Sequence, residues 1–202
     1  MKGEGTKTMT DPFSTQRMSV EQQVQSELSG GERLLWSGQP KQGIVLRGAD
    51  VFMIPFSLLW GGFAFFWEWQ VIHSDAPAFF ALWGIPFVLI GIYLIIGRFY
   101  VEARQRQKTF YGVTNERILI VSGLFNRKVK SLNMRTLSDL SLSQSSSGEG
   151  SISFGSGFPF GSWFGGFSSW PGMEAYLGPR FELIPNAKGV YEIIRNAQRS
   201  AA

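Results

Sequence analysis

The sequence predicts a membrane α-helical hairpin followed by a small α+β domain that is mainly β and ends with one helix. Three observations support this fold class: two long apolar stretches in the first half of the chain, a series of short alternating segments after them, and an amphipathic pattern near the C-terminus. The composition agrees, because 44% of the 202 residues are apolar and only 17% are charged, against about 25% charged in a typical soluble domain.

Two apolar stretches are long enough to cross a bilayer. Residues 51–67 and 76–97 contain no charge and are apolar on every face, whereas an amphipathic soluble helix places polar residues on one side. A bilayer core of about 30 Å requires about 20 such residues. The second stretch has this length, and the first reaches it by extending at either end. The sequence therefore predicts a transmembrane hairpin over residues 48–98, in preference to a pair of buried core helices.

Basic residues are distributed unevenly around this hairpin. None of the 19 Lys and Arg residues lies between Arg47 and Arg98, and loops that lack Lys and Arg are the ones translocated across a membrane. The link 68–75 is therefore expected outside the cell, and both termini are expected in the cytoplasm.

Residues 1–47 are expected to form a cytosolic segment with one short helix, because Val20, Val24 and Leu28 recur at helical spacing. Apolar residues 34–36 then lie between turn residues. This pattern suits a short strand, or a segment that lies on the bilayer or on the later domain, and the alternatives remain open.

A basic block follows the second apolar stretch. Nine basic and two acidic residues lie between positions 98 and 135, and a basic residue near an anionic leaflet contributes about 1 kcal/mol to membrane attraction. The four nearest the membrane are candidate contacts to lipid headgroups: Arg98, Arg104, Arg106 and Lys108. The alternative is an ordinary positive flank followed by solvated strand faces.

Residues 105–202 have the pattern of a small β domain. Short segments between turn residues predict antiparallel strands at 109–114, 117–123, 128–134, 136–145, 150–155 and 181–185. Asn186 can cap a last helix, whose apolar stripe consists of Val190, Ile193, Ile194 and Ala197. Strands followed by one helix predict a small barrel or curled sheet that is plugged at one end.

These motifs resemble those of a known family. The segments GERLLWSGQP, TFYGVTNERILIVSG, GSISFG and FELIP are similar to segments of bacterial membrane proteins with a pleckstrin-homology-like (PH-like) domain, and the most specific piece is Tyr111-x-x-Thr114-Asn115-x-Arg117. The resemblance implies a split barrel with a C-terminal helix, a place in the bacterial inner membrane, and a role in membrane-associated protein assembly without any reaction. Lipid-binding eukaryotic members hold a phosphoinositide with a long basic loop, whereas the matching connection here is Asn115-Glu116.

The segment 150–172 is uncharged and rich in Gly, Ser and aromatic residues. Five of its rings are candidate contacts to a partner or to the membrane: Phe158, Phe160, Trp163, Phe164 and Trp170. A loop with a few rings against the barrel is an alternative interpretation. Residues 136–179 contain three acids and no Lys or Arg, so an anionic membrane would repel this side. This favours a loop that faces the cytoplasm or a partner.

The sequence indicates no catalytic, metal or cofactor site. It has no Cys and a single His, which excludes thiolate nucleophiles and Cys/His zinc sites. Its glycines miss the spacing of nucleotide-binding loops, and its aromatic and basic residues occupy different segments, unlike nucleic-acid-binding patterns. We therefore expect a non-enzymatic scaffold or protein-interaction module that uses no small-molecule substrate, with the bilayer and either other proteins or copies of itself as partners. A sensor of anionic headgroups that uses the basic block is the alternative.

Overall fold

The computed structural model describes residues 20–48, 50–124, 126–145, 147–155 and 178–201. These residues belong to two compact units. The helical unit contains the described part of Gln42–Gln107, and the strand unit contains the described parts of Met1–Lys41, Lys108–Phe154 and Pro179–Ala202.

The helical unit consists of α1 (Asp50–Ile72), α2 (Ala78–Ile92), a π-helical turn (Tyr93–Gly97) and α3 (Arg98–Gln107). The last three form one continuous helix of 30 residues, from Ala78 to Gln107. Among the described residues, α1 and this longer helix are the two that are long and apolar enough to cross a membrane. The predicted apolar stretches lie inside them. The basic residues that follow position 97 do not end the second helix, which continues through them to Gln107.

Small residues hold α1 and α2 together. Gly61 of α1 and Gly91 of α2 are buried, and a Cβ atom on Gly91 would lie 3.0 Å from Gly61 Cα. Ser57 and Ala64 are buried on the same side of α1 as Gly61, while large apolar side chains such as Phe52 and Leu59 are exposed on the surface of the unit. Small residues inside and large apolar residues outside are typical of helix pairs in lipid.

The strand unit contains two antiparallel sheets. The first has the order β1-β2-β3-β4 and consists of β1 (Leu34–Gly38), β2 (Phe110–Thr114), β3 (Arg117–Ser122) and β4 (Lys128–Asn133). The second has the order β5-β6-β7 and consists of β5 (Leu140–Gln144), β6 (Gly150–Phe154) and β7 (Arg180–Ile184). The helix α4 (Ala187–Ala201) ends the described chain. This architecture agrees with the expected antiparallel strands and closing helix.

The core of the strand unit contains side chains from both sheets and from α4. Phe181 is fully buried, and its ring lies 4.5 Å from that of Tyr111 and 4.9 Å from that of Phe154. Val190, Ile194 and Ala197 of the predicted stripe are buried, and Ile193 packs against the same cluster. Asn186 Oδ1 accepts a hydrogen bond from the Gly189 N–H at 3.4 Å, as expected of a residue at a helix start.

The first strand of the sheet precedes the hairpin in the chain. Residues 34–36, whose structure the sequence left open, belong to β1, and Trp36 pairs with Val113 of β2. Before them, residues 20–25 are helical, and Val24 is fully buried where a Cβ atom on Gly112 would clash with it. The strand unit therefore combines residues from both sides of the hairpin, whereas the sequence suggested three consecutive segments.

One strand is shorter than the sequence suggested. Residues 136–145 were expected to be extended, but Met134–Thr136 form a 3₁₀ turn and β5 begins only at Leu140. Met134 and Leu137 are both buried in the core, so the start of this segment forms a turn that packs inward.

Candidate functional site

The motif that carries the family resemblance forms a polar cluster with the residues before the hairpin. Arg117, at the start of β3, donates two hydrogen bonds to Glu32, from Nε to Oε1 at 2.9 Å and from Nη2 to Oε2 at 2.8 Å. Nη2 also donates to the Glu27 carbonyl and to Ser29 Oγ. A forked guanidinium–carboxylate pair of this kind is both strong and specific in geometry.

Thr114 and Asn115 complete this cluster. Thr114 Oγ1 donates to Glu32 Oε1 at 2.7 Å and accepts from the Arg117 N–H at 2.9 Å. Asn115 Oδ1 accepts from the Arg33 N–H at 2.8 Å, and the Asn115 N–H donates to the Arg33 carbonyl at 3.1 Å. We call the five residues Glu32, Arg33, Thr114, Asn115 and Arg117 the clasp. It joins the turn between β2 and β3 to the segment that leads into β1.

Electrostatics within the clasp favour its charged form. The hydrogen bonds from Arg117 lower the pKa of Glu32 from 4.5 to about 2, and the Ser29 N–H and the Thr114 hydroxyl act in the same direction against the effect of burial. The carboxylate in turn raises the pKa of Arg117. The Glu32 side chain is only 1% exposed and that of Arg117 is 26% exposed, so a buried carboxylate pairs with a partly exposed guanidinium group, and both are charged at neutral pH.

Tyr111, the first residue of the motif, connects the two sheets. Its ring stacks on Phe181, and its hydroxyl accepts a hydrogen bond from the Glu182 N–H of β7 at 3.1 Å. The motif therefore couples β2 to β7 through Tyr111 and to the segment before the hairpin through the clasp. The sequence supplied the motif, but it did not indicate that Glu32 is the partner of Arg117.

Two of the four predicted headgroup contacts lie in ion pairs inside the helical unit. Arg98 is 7% exposed, and its Nη1 lies 2.6 Å from Asp50 Oδ1. Arg106 is 5% exposed and contacts Glu102, whose Oε1 is also 2.6 Å from Arg47 Nη2. Sequence reasoning missed these carboxylate partners. We call the five residues Arg47, Asp50, Arg98, Glu102 and Arg106 the basal ion cluster, because they lie at the ends of the hairpin opposite its turn.

The other two predicted headgroup contacts are exposed. Arg104 donates to the Tyr100 hydroxyl at 2.8 Å and lies over its ring. Lys108, at the start of the strand unit, donates to the Leu124 carbonyl at 3.0 Å. Contact of these residues with lipid headgroups stays a prediction.

The five aromatic residues that we predicted to contact a partner or the membrane lie outside the described residues: Phe158, Phe160, Trp163, Phe164 and Trp170. Their contacts also stay predictions. Among the residues that the structure describes, no group of three His, Asp or Glu side chains could hold a metal ion.

The exposed edge of the first sheet is basic. β4 is the last strand of its sheet, and the side chains of Lys128, Val129, Lys130 and Ser131 are all exposed. Within the described residues, Lys128 and Lys130 form no ion pair with a carboxylate. An edge strand of this kind offers backbone hydrogen-bonding groups to a further strand, and its positive charge selects which strands can approach.

Comparison with protein families identifies the group to which the chain belongs. A family model described as Bacterial PH domain matches residues 53–158, just over half of the chain, and the match includes most of α1, all of α2 and α3, and the strands β2 to β6. Among curated proteins, no sequence matches the chain. A PH-like domain suggests a binding or scaffold module. The chain belongs to the Bacterial PH domain family.

Proposed function

We propose that this protein is a membrane-anchored, non-enzymatic PH-like module that binds protein partners or copies of itself at the bacterial inner membrane. The observation that carries the proposal is the pairing of β1 with β2. β1 ends at Gly38, twelve residues before α1, and β2 begins three residues after α3.

This pairing constrains the path of the chain across a membrane. β1 and β2 are hydrogen-bonded antiparallel neighbours, and their pairing runs from Leu34–Thr114 to Gly38–Tyr111. The clasp adds polar contacts at the Thr114 end of β2. A sheet cannot form across a bilayer, because each unsatisfied backbone group costs several kcal/mol in hydrocarbon. The segments before and after the hairpin must therefore lie on one side, which favours two crossings.

The dimensions and charges of the helical unit support the same arrangement. α1 has 23 residues, so it is about 35 Å long and matches a bilayer core of about 30 Å. The charged groups of the basal ion cluster lie at one end of the hairpin, and the other end contains no Lys or Arg. Because cytoplasmic flanks carry an excess of basic residues, the strand unit is placed in the cytoplasm in this proposal.

The binding role rests on the strand unit. β4 exposes a basic edge, and an acidic or neutral extended segment of a partner could add a strand there. The alternative role, a sensor of anionic headgroups, has less support, because two of the four candidate headgroup contacts, Arg98 and Arg106, are paired with carboxylates. The other two, Arg104 and Lys108, are exposed.

Photo-crosslinking of the full-length protein in cells separates these two roles. A photoreactive residue in place of Val129 should give adducts with one defined protein or with a second copy, whereas the same residue in place of the exposed Glu192 of α4 should not. The double variant Arg104→Gln, Lys108→Gln should keep the Val129 adduct. Equal adducts at both positions, or loss of the Val129 adduct in the double variant, would contradict the scaffold role.

A further inference from the structure

Glu68 is an acidic residue within α1, and its environment is unusual for a carboxylate. Its Oε2 atom is buried, and it has no hydrogen-bond partner among the described residues. It lies against Gly84 of α2, where a Cβ atom would overlap the carboxylate. Gly84 therefore leaves the space that the carboxylate occupies between the two helices.

The hairpin supplies no Lys or Arg that could compensate this carboxylate. No Lys or Arg occurs between positions 47 and 98. The nearest candidate, His73, stacks on the Trp69 ring at 4.0 Å, and its Nδ1 lies 2.8 Å from the Trp69 carbonyl. A buried carboxylate oxygen without a partner is unfavourable, so a cation from outside the described chain would stabilise the charged form of Glu68.

An apolar cleft of about 200 Å³ lies in the helical unit, and Trp67, the neighbour of Glu68 in the chain, lines it. Its lining comes from both helices: Trp60, Phe63, Ala64, Trp67, Trp83 and Phe87. The Trp67 ring reaches the same point above Gly84 as the Glu68 carboxylate, since a Cβ atom on Gly84 would meet both. The Glu68 carboxylate thus lies next to Trp67, one of the aromatic walls of the cleft, and aromatic rings attract organic cations through their faces.

We propose that this cleft binds a phospholipid with an ammonium headgroup, whose ammonium group pairs with Glu68 and one of whose acyl chains lies along the aromatic walls. The proposal rests on the membrane-spanning hairpin proposed above. Charge complementarity selects the headgroup, because the buried carboxylate oxygen has no hydrogen-bond partner among the described residues. The apolar walls select the chain, and the exposed apolar residues around the hairpin give access from the bilayer.

The depth of these groups fits a lipid. Glu68 lies four residues before the end of α1 at Ile72, which at 1.5 Å per residue is about 6 Å from the turn. This is the level of the headgroups in the leaflet that surrounds the turn. Trp60 lies eight residues earlier in α1 and therefore about 12 Å deeper, where acyl chains are found. The cleft thus extends from headgroup level into the hydrocarbon region.

Native mass spectrometry of the full-length protein in detergent micelles tests the proposal. Delipidated protein is titrated with phosphatidylethanolamine and with phosphatidylglycerol of identical acyl chains, so that only the headgroup differs. The wild-type protein should bind the ethanolamine lipid about tenfold more tightly. Glu68→Gln should abolish the difference, and Asp75→Asn, which removes an exposed acid of the adjacent turn, should preserve it.

A second variant covers the case in which Glu68→Gln does not fold. Trp83→Leu removes an aromatic wall along which the acyl chain lies but keeps an apolar side chain, so it should weaken the binding of both lipids severalfold with unchanged helicity in circular dichroism. Equal binding of the two lipids by the wild type, or a preference that survives Glu68→Gln, would overturn the site. So would a dimer that forms through this face and excludes lipid.

The failure of this site can be distinguished from failure of the proposed function. Labelling of a Ser74→Cys variant from outside intact cells reports on the hairpin alone. If Ser74→Cys is labelled but no headgroup preference is found, only the lipid site is refuted. If Ser74→Cys is not labelled, the membrane-spanning hairpin is refuted, whatever the lipid titration in micelles shows.

Discussion

From the clasp we predict that the stability of the strand unit depends on one buried carboxylate, that of Glu32. Replacement of Glu32 by Gln removes the charge that pairs with Arg117 but keeps the shape of the side chain. The pKa of Glu32 is lowered from 4.5 to about 2, and a tenfold change in a proton-binding constant corresponds to about 1.4 kcal/mol. The charged form of Glu32 therefore stabilises the fold by about 3 kcal/mol, and Glu32→Gln should lose about 2 to 3 kcal/mol of unfolding free energy at neutral pH.

The same contact predicts a specific pH dependence. Because the folded-state pKa of Glu32 is depressed, its stabilising contribution is complete above pH 4.5 and is lost as the pH falls towards about 2. Glu32→Gln should lack this part of the acid sensitivity. Glu116→Gln, which alters an exposed carboxylate in the same turn, should retain it and should change the stability by less than about 0.5 kcal/mol.

Urea titration with a single tryptophan measures these changes. Trp36 lies 5.7 Å from Phe181, ring centre to ring centre, so its fluorescence reports on the packing of β1 against the core when the other six tryptophans are replaced by Phe. The full-length protein is used in detergent micelles. Loss of less than about 0.5 kcal/mol in Glu32→Gln, or acid curves of the same shape for Glu32→Gln and the unsubstituted protein, would refute the role assigned to the clasp.

Two further predictions concern the helical unit. Gly61→Leu should separate α1 from α2, because the Gly61 backbone contacts that of Gly91, and should lower the thermal midpoint measured by circular dichroism in micelles; Gly62→Leu, at a position with open space, should not. Arg98→Gln should cost about 3 to 5 kcal/mol because it leaves a buried carboxylate unpaired, whereas the exposed Arg104→Gln should cost less than about 1 kcal/mol. Equal effects within either pair would contradict the packing or the ion pairing described.

Local patterns predicted most elements of the fold. Continuous apolar stretches indicated α1 and α2, and alternation between turn residues indicated β2, β3, β4, β6 and β7 within one or two residues of their observed bounds. These patterns work because the side-chain period of a helix or strand is a local property. Turns can also be predicted locally. Gly123 has a φ of +141°, a backbone conformation that residues with a Cβ atom rarely adopt, so a glycine here marks the turn after β3.

Long-range partners could not be predicted in this way. The residues of β1 pair with β2 across more than seventy positions of the chain, and no local period indicates which strand a segment joins. Asp50 and Glu32, the carboxylate partners of Arg98 and Arg117, are similarly distant in the chain. Glu102, the partner of Arg106, lies four residues before it, a spacing that is common on any charged helix. The sequence placed Glu68 at the edge of the first span, and only the packing against Gly84 reveals that one of its carboxylate oxygens is buried.

Cysteine accessibility in intact cells tests the central claim, that the hairpin crosses the membrane twice and leaves the paired strands on the cytoplasmic side. The chain contains no Cys, so single substitutions report without background. Ser74→Cys, in the exposed turn between α1 and α2, should react with a membrane-impermeant thiol reagent added outside, and Ser147→Cys, in the exposed turn between β5 and β6, should react only after the cells are opened. Labelling of Ser147→Cys in intact cells, or protection of Ser74→Cys, would contradict the account.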